Sequence, residues 1–551
     1  MKSLRSAERL LSRKGPPIFL AVFLASFFPL KAQIWTARYG GTADSADYAR
    51  KLEIYDGHIY VGGDCMNQGS RYDITLIKYS TDGNELWAVS HDGPEHLYDL
   101  FAGFAFDGSS GLYITGSTQT DPLPHPRYDI ITLKYNVNGE LQWAQTYNGP
   151  GEDNDIAEDI AVNEHEGTIV VVGESKNDET QSDFLLLAYD STGDLLWWDL
   201  KDGENDDDYA KAVAVDDSGN VYVAGYMRYA SSIDDFVTIK YSTLGISIWT
   251  AVYSGGTASD MAYLLEVDND GNAVVAGKSQ SPYYDYDFLL LKYDPEGTLL
   301  WSERYDGGDS LDDYPTALEL DAEGNIYLTG VSNSNSTYKD IVTLKYSPDG
   351  EVEWVARYDG PGLGSNDISS GITIESTGLF VTGTSNGFNN TFDYVVLKYS
   401  LDGQLLWAVN YNGPDSLDDI SADIAANDGY LYVTGSSYYS ETNYDFVTLK
   451  YPSEGQSVEW SEGERKRGGI KVVPNPMRDR LTISLTETPE KEAKIQIYSV
   501  SGRLVRTIRA SSRKTIWDGK NERGVKTSAG VYVIFIEIGE QKYSRAFLLA
   551  H

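Results

Sequence analysis

Eight aspartates recur 11–13 residues after a tryptophan: Asp47, Asp99, Asp155, Asp208, Asp260, Asp313, Asp367 and Asp419. Each stands where the chain enters a short apolar segment, and Asp206, Asp207, Asp312 and Asp418 crowd the same positions. If these segments converge, eight carboxylates form a ring. Like charges that close cannot all stay ionised and unpaired. Two arrangements relieve them. Loop N–H groups of the same or the next unit can donate to each carboxylate. Alternatively, a hard cation such as Ca²⁺, which takes six to eight oxygens, can sit among them. The stretch Asp268-Asn269-Asp270-Gly271 is too short for a contiguous Ca²⁺ loop and lacks its distal Glu.

A second set of carboxylates opens a later segment in every unit: Asp73, Asp129, Asp183, Asp235, Asp287, Asp340, Asp393 and Asp445. Five residues on stands a lysine (Lys78, Lys134, Lys240, Lys292, Lys345, Lys398, Lys450), with Ala188 as the exception. Turn capping and ion pairs between units are the expected uses of this set. Catalytic constellations are sparse. The six histidines are scattered, Cys65 is the single cysteine, and neither HExxH nor GxSxG occurs.

The elements that must position these residues follow from tryptophan. Trp35, Trp87, Trp143, Trp197, Trp249, Trp301, Trp354, Trp407 and Trp460 are spaced 52–56 residues apart, so nine marks bound eight units. In the unit that begins near Trp407, a strand at Leu405–Tyr411 leads through Asn412-Gly413-Pro414 into an acidic loop. Strands at Ile420–Ala426, Tyr430–Thr434 and Asp445–Tyr451 follow, joined by hairpin-length turns. No unit has helical periodicity. Four-stranded units of this length, repeated eight times, predict an all-β, eight-bladed propeller over 33–462; a solenoid is the competing architecture. The Ile420-type strand is expected innermost and the tryptophan strand outermost. Either the Trp35 or the Trp460 strand then completes the last blade, so that no edge is left open. A glycine ends every second strand (Gly63, Gly116, Gly173, Gly225, Gly277, Gly330, Gly383, Gly435), which suits a bend or close backbone approach. Each outer-strand indole is expected to cover the gap between blades.

In such a ring, the outer-to-inner loops and the second-to-third-strand loops share one face. The latter are long, variable and rich in Tyr, Ser and Asn: 67–72, 118–128, 176–182, 226–234, 280–286, 333–339, 385–392 and 436–444. The opposite face carries tight turns such as Asp216-Asp217-Ser218-Gly219-Asn220 that vary little. Variation on one face points there for binding. Clustered exposed tyrosines would favour a binding role, and scattered ones a spacer.

Charge limits the partners. The chain carries 83 Asp+Glu against 44 Lys+Arg. Residues 33–462 hold 73 acids and 20 bases, net −53, whereas 463–551 hold 9 and 18, net +9. An acidic body repels nucleic acid and anionic membrane. The charge break marks a domain boundary, with 463–469 as a basic linker.

The N-terminus reads as a signal peptide, residues 1–32, with basic Lys2, Arg5, Arg9, Arg13 and Lys14, an apolar run from Pro17 to Leu30, and Ala32 before a plausible cleavage point. The apolar run is short for a membrane span, and no later segment could form one. Segments such as DYAKAVAVDDSGNVYVAG (Asp208–Gly225) and DYPTALELDAEGNIYLTG (Asp313–Gly330) resemble the bacterial β-propeller repeat family, which implies a propeller and no chemistry. The tail, 470–551, opens on Val473-Pro474-Asn475-Pro476 and runs through KIQIYSVSGRLVRTI and SAGVYVIFIEIGEQKYSRAFLL. It resembles the C-terminal sorting domain of type IX secretion cargo, which implies an Ig-like sandwich and export across an outer membrane. WDGKNERGVKTSAGVY (Trp517–Tyr532) is nearer the Ig-like domain of hook-capping proteins.

The expected function is therefore a secreted or cell-surface propeller. It binds a protein or glycan on its variable-loop face, with Ca²⁺ as a possible aid and the export machinery as partner of the tail. A quinoprotein-like or other propeller enzyme is the alternative, although that family's adjacent cysteines are missing. A surface-layer spacer is the third class.

Overall fold

The computed structural model describes residues 18–19, 33–454 and 470–549, except 110, 123, 152, 164–165, 178–180, 204–205, 230–232, 256–258, 336, 361–365, 387–390, 474–479, 486–492, 500–503, 511, 522–525, 528–529 and 539–540. The expected signal peptide lies outside these residues apart from Ile18–Phe19, a two-residue strand paired in parallel with Val355 and Ala356. The linker 463–469 and the Trp460 strand also lie outside them.

Eight antiparallel meanders form the body, and no helix occurs among the described residues. Blade 1 comprises Tyr48–Tyr55, His58–Met66, Tyr72–Ser80 and Glu85–His91. Blades 2 to 7 follow with inner strands Asp99–Phe106, Asp155–Asn163, Tyr209–Val215, Asp260–Val267, Asp313–Leu320 and Asp367–Glu375. Blade 8 takes Asp419–Asn427, Tyr430–Tyr439 and Asn443–Pro452, and its fourth strand is Trp35–Tyr39 from the start of the body. Trp35 pairs with Lys450 and Tyr39 with Phe446. The Trp35 strand is therefore the one that closes the ring. Inner strands of neighbouring blades touch in an unbroken circle, from blade 1 round to blade 8 and back to blade 1.

Apolar side chains of successive sheets interleave to make the core. Val170, Val172, Phe184 and Leu186 of blade 3, for example, pack with Val213, Val221, Val223 and Val237 of blade 4. Every inner strand carries a bulge after its second or third residue, as at Ala157/Asp159 and Ser421/Asp423. The recurring glycine faces this bulge. A Cβ on Gly173 would lie within 3.0 Å of the Ile156 carbonyl oxygen, and one on Gly277 within 3.0 Å of that of Met261. Close backbone approach, as expected from the sequence, is the reason for glycine there.

The tryptophans lock blades on the tight-turn face. Nε1 of Trp35, Trp87, Trp143, Trp249, Trp301 and Trp354 donates to a turn carbonyl of the following blade at 2.9–3.2 Å. The repeated lysine reaches the same carbonyl in five of these: Lys450 to Thr81, Lys78 to Val137, Lys134 to Ser191, Lys240 to Pro295 and Lys292 to Pro348. The lysines were expected in ion pairs between blades; across the blades they meet this carbonyl, while Lys240, Lys292 and Lys345 form ion pairs within their own blade, with Asp216, Asp268 and Glu353. The turn glycine beneath each indole has positive φ, as at Gly297 (85°). Any Cβ there would also strike the Trp249 ring.

In the tail, Ile470–Val473, Leu481–Leu485 and Lys514–Trp517 form one sheet, and Leu504–Ala510, Ala493–Ser499, Gly530–Ile538 and Gln541–Leu549 another. Leu481, Ile483, Ile495, Ile497, Trp517 and Ile534 share one buried core.

Candidate functional site

All eight aspartates of the expected ring open or immediately precede an inner strand, and all are 0–1% exposed. One oxygen of each accepts the N–H of a loop glycine, from Gly41 for Asp47 round to Gly413 for Asp419, at 2.5–2.7 Å. In Asp47, Asp208, Asp260, Asp313 and Asp419 the second oxygen also accepts from a donor on the adjacent second strand. These donors include the N–H groups of Met66, Arg228 and Asn333 and the hydroxyls of Ser279 and Ser437. Loop capping by N–H groups is thus built into the repeat. Burial pushes the carboxyls of Asp47, Asp99, Asp155, Asp313 and Asp419 up to about 6, against the downward pull of these hydrogen bonds. Asp208 is pushed up to about 7, with Asp202 and Asp183 adding repulsion.

Among the described residues the ring aspartates do not gather in threes with one another. Four of them instead each form one corner of a triad completed by the preceding blade: Asp73, Asp92 and Asp99; Asp183, Asp202 and Asp208; Asp287, Asp306 and Asp313; Asp340, Asp359 and Asp367. Within a triad one oxygen per residue lies within 4.8 Å of the others. The first member belongs to the second aspartate set of the sequence. The middle member, in the turn after the outer strand, was not singled out. Its signal is an Asp-Gly pair at four of the eight turns, where the other four read Gly40, Asn148, Ser254 and Asn412. Two triads contain a guanidinium. Arg304 meets Asp287 at 2.8 Å and Arg357 meets Asp340 at 3.2 Å. Ser90 and Leu200 occupy the equivalent positions in the other two.

A further charged cluster lies in the central channel. Lys51 of blade 1, Asp159 of blade 3, Glu266 of blade 5, Glu319 of blade 6 and Asp423 of blade 8 feel one another's fields, although their blades are mostly not adjacent. Lys51 pairs with Glu53 at 3.0 Å. Enclosure among the neighbouring inner strands, then repulsion by Asp159, pushes Glu266 up to about 7, although its side chain is still exposed to solvent. Withdrawal from water, then repulsion by Glu266 and Asp423, pushes Glu319 to about 8.

The variable-loop face is paved with tyrosine. Tyr438, Tyr444, Tyr48, Tyr72 and Tyr98 form a chain of rings with centroids 5.2–6.0 Å apart, running from blade 8 across blade 1 to the entry of blade 2. Tyr209, Tyr226 and Tyr263 form a second such chain. Between the loops of blades 5 and 6 lies a cleft of about 450 Å³, lined by Tyr283, Tyr284, Asp285, Asp312, Asn333, Tyr338, Lys339 and neighbours. Tyr283 and Tyr284 are 82% and 83% exposed and Tyr338 64%. Tyr284 and Tyr338 also hold left-handed backbone, φ 72° and 67°. Such strain in a bulky residue persists only where the surroundings enforce it, and it concentrates at ligand sites.

Residues 203–226 match the family described as beta-propeller repeat, and residues 471–550 the secretion system C-terminal sorting domain. The chain is 27% identical over 382 residues to the uncharacterized WD repeat-containing protein L264 of Acanthamoeba polyphaga mimivirus, which covers 62% of this chain but only 24% of that protein. Solved structures of similar form include PorZ, an essential surface component of the type-IX secretion system of Porphyromonas gingivalis (14% identity, TM-score 0.35, covering 94% of this chain and 70% of PorZ). The periplasmic gluconolactonase PpgL of Pseudomonas aeruginosa (13%, TM-score 0.40, 68% and 98%) and the polysaccharide lyase Uly1 (10%, TM-score 0.43, 77% and 100%) also resemble it. The chain carries a beta-propeller repeat and a secretion system C-terminal sorting domain, and that domain indicates export by the type IX secretion system to the cell surface or beyond.

Proposed function

We propose that the exported propeller is a recognition module that binds an uncharged glycan on its variable-loop face, in the cleft between blades 5 and 6. The clustering of Tyr283, Tyr284 and Tyr338 around that cleft carries this reading. Exposed flat rings supply stacking surface at low entropic cost. Asp285, Asp312, Asn333 and Lys339 offer donors and acceptors for hydroxyl groups. At about 450 Å³ the cleft has the size of a small-ligand site rather than of a protein interface. The net charge of −53 over residues 33–462 disfavours a polyanionic ligand. The reading assigns no catalytic role, and scattered tyrosines would instead have suited a spacer.

Retention on immobilised neutral polysaccharides, followed by titration with oligosaccharides, tests it. The full chain should bind at least one neutral glycan, and a Tyr283→Ser, Tyr284→Ser, Tyr338→Ser variant should bind it at least about tenfold more weakly. Equal affinity of the two proteins, or no neutral glycan retained, would overturn it.

A further inference from the structure

The blade junctions offer an internal comparison, because one arrangement is built eight times with different side chains. Its fixed part is a buried third-strand aspartate beside the ring aspartate of the next blade. In Asp73, Asp235, Asp287, Asp340, Asp393 and Asp445 alike, Oδ1 is buried with no hydrogen-bond partner, although a buried carboxylate oxygen ordinarily has one. A position that recurs with the same unsatisfied acceptor belongs to the design of the repeat. What it would accept depends on the local charge.

At the junction of blades 1 and 2 no arginine reaches the triad, and the cationic neighbour among the described residues is His96, paired with Asp92. Asp73 is 2% exposed, and its Oδ2 accepts from Asn67 Nδ2 at 2.8 Å and Ser70 Oγ at 2.9 Å, while Oδ1 has no partner. Asp99, 1% exposed, accepts from Gly93 N–H at 2.7 Å. Asp92 completes the triad from the solvent side, with His96 Nδ1 on its Oδ2 at 2.6 Å. Where the same triad recurs between blades 5 and 6 and blades 6 and 7, Arg304 and Arg357 reach in from two residues before the turn aspartate. Here that position is Ser90, which is exposed.

We propose that Asp73, Asp92 and Asp99 hold a hard divalent cation, Ca²⁺ by donor type, in the place that a guanidinium takes at the arginine-bearing junctions. Three carboxylates, each able to bind through one or two oxygens, with water completing the shell, suit the six to eight ligands at about 2.3–2.6 Å that Ca²⁺ requires. They suit the compact octahedron of Mg²⁺ poorly. Asp92 leaves an entry path from solvent, and Asp73 and Asp99 anchor the ion to two successive blades. The ion would join those blades where other junctions use arginine.

Calorimetric titration of Ca²⁺ alone into the chelator-treated full chain, with thermal melts alongside, tests the site. Saturable binding with a raised Tm is expected, because a ligand favouring the folded state stabilises it. Asp92→Asn and Ser90→Arg should each lose one equivalent of Ca²⁺. Both positions are exposed, so both variants should fold, although Ser90→Arg gives up the 2.8 Å bond between the Ser90 and Thr75 hydroxyls. An excess of Mg²⁺ should not displace the ion. Absence of saturable Ca²⁺ binding, or wild-type stoichiometry in both variants, would overturn the proposal.

Discussion

The two faces of the propeller are written by the same eight repeats and differ in what the repeats hold constant. On the tight-turn face an indole, a lysine and a left-handed glycine recur with little change, and a single carbonyl of the next blade receives both donors. On the loop face the aspartate–glycine caps recur, but the loops above them change length and composition from blade to blade. Constancy marks what joins blade to blade, and variation marks what meets a ligand. A propeller can therefore alter its ligand at one or two junctions without touching the lock that holds the ring.

Four experiments would break or sharpen that contrast. Gly173→Ala should have the largest effect, because its Cβ would overlap a backbone carbonyl opposite the inner-strand bulge. We expect a loss of about 3 kcal/mol, at the upper end for overpacking, read by denaturant unfolding. Trp249→Ala removes the bond to Pro295 and the cover over Gly297. Because the indole is only half-buried, a loss of about 2 kcal/mol is expected, below the range for fully buried tryptophan, with glycan binding unchanged.

The channel gives a pH test of intermediate size. Glu266, Glu319 and Asp423 are pushed up to about 7, 8 and 6, while Lys51, Glu53 and Asp159 face them. The folded state therefore holds protons that the unfolded chain has already released above its ordinary carboxylate range of about 4. Stability should be complete below about pH 4 as far as these groups are concerned, and should fall as pH rises through 6 to 8. Tm measured at pH 5 and 8 checks the sign. Glu319→Gln should flatten the slope and raise Tm at the higher pH; an unchanged slope would remove Glu319 from this account. The smallest stability effect belongs to Tyr283→Ser with Tyr284→Ser, within about 0.5 kcal/mol as for other exposed positions, although this pair should weaken glycan binding. If it destabilised the fold instead, the cleft would be part of the scaffold.

Much of this arrangement could be read from the chain before folding. The tryptophan period set the number of blades, and the repeated aspartate marked the start of the inner strand; the repeated glycine, expected at the end of the second strand, lies inside it, three to five residues before its end. Those features repeat in register, so one unit explains all eight. The triads were harder to find. Asp92 and Asp99 are near in sequence, but Asp73 meets Asp92 through pairing of the third and fourth strands of blade 1, and meets Asp99 through packing of blade 1 against blade 2. The channel cluster was harder still. Lys51, Asp159 and Asp423 stand immediately after the bulges, and a one-residue bulge changes which way the following side chains point. The choice between Trp35 and Trp460 as closing strand depended on pairing between segments far apart in the sequence.

The closing strand has a kinetic consequence. Arg38 and Asp445 bond across blade 8 although they lie 407 residues apart in sequence. A nascent or translocating chain must keep the Trp35–Tyr39 segment unpaired until Asn443–Pro452 has arrived. Contacts of such long range slow folding, and an unpaired strand edge invites pairing with other chains in the meantime. Completion of the ring is therefore the step at which this protein is most exposed to misassembly, and the point at which a chaperone or the export route itself would have most to protect.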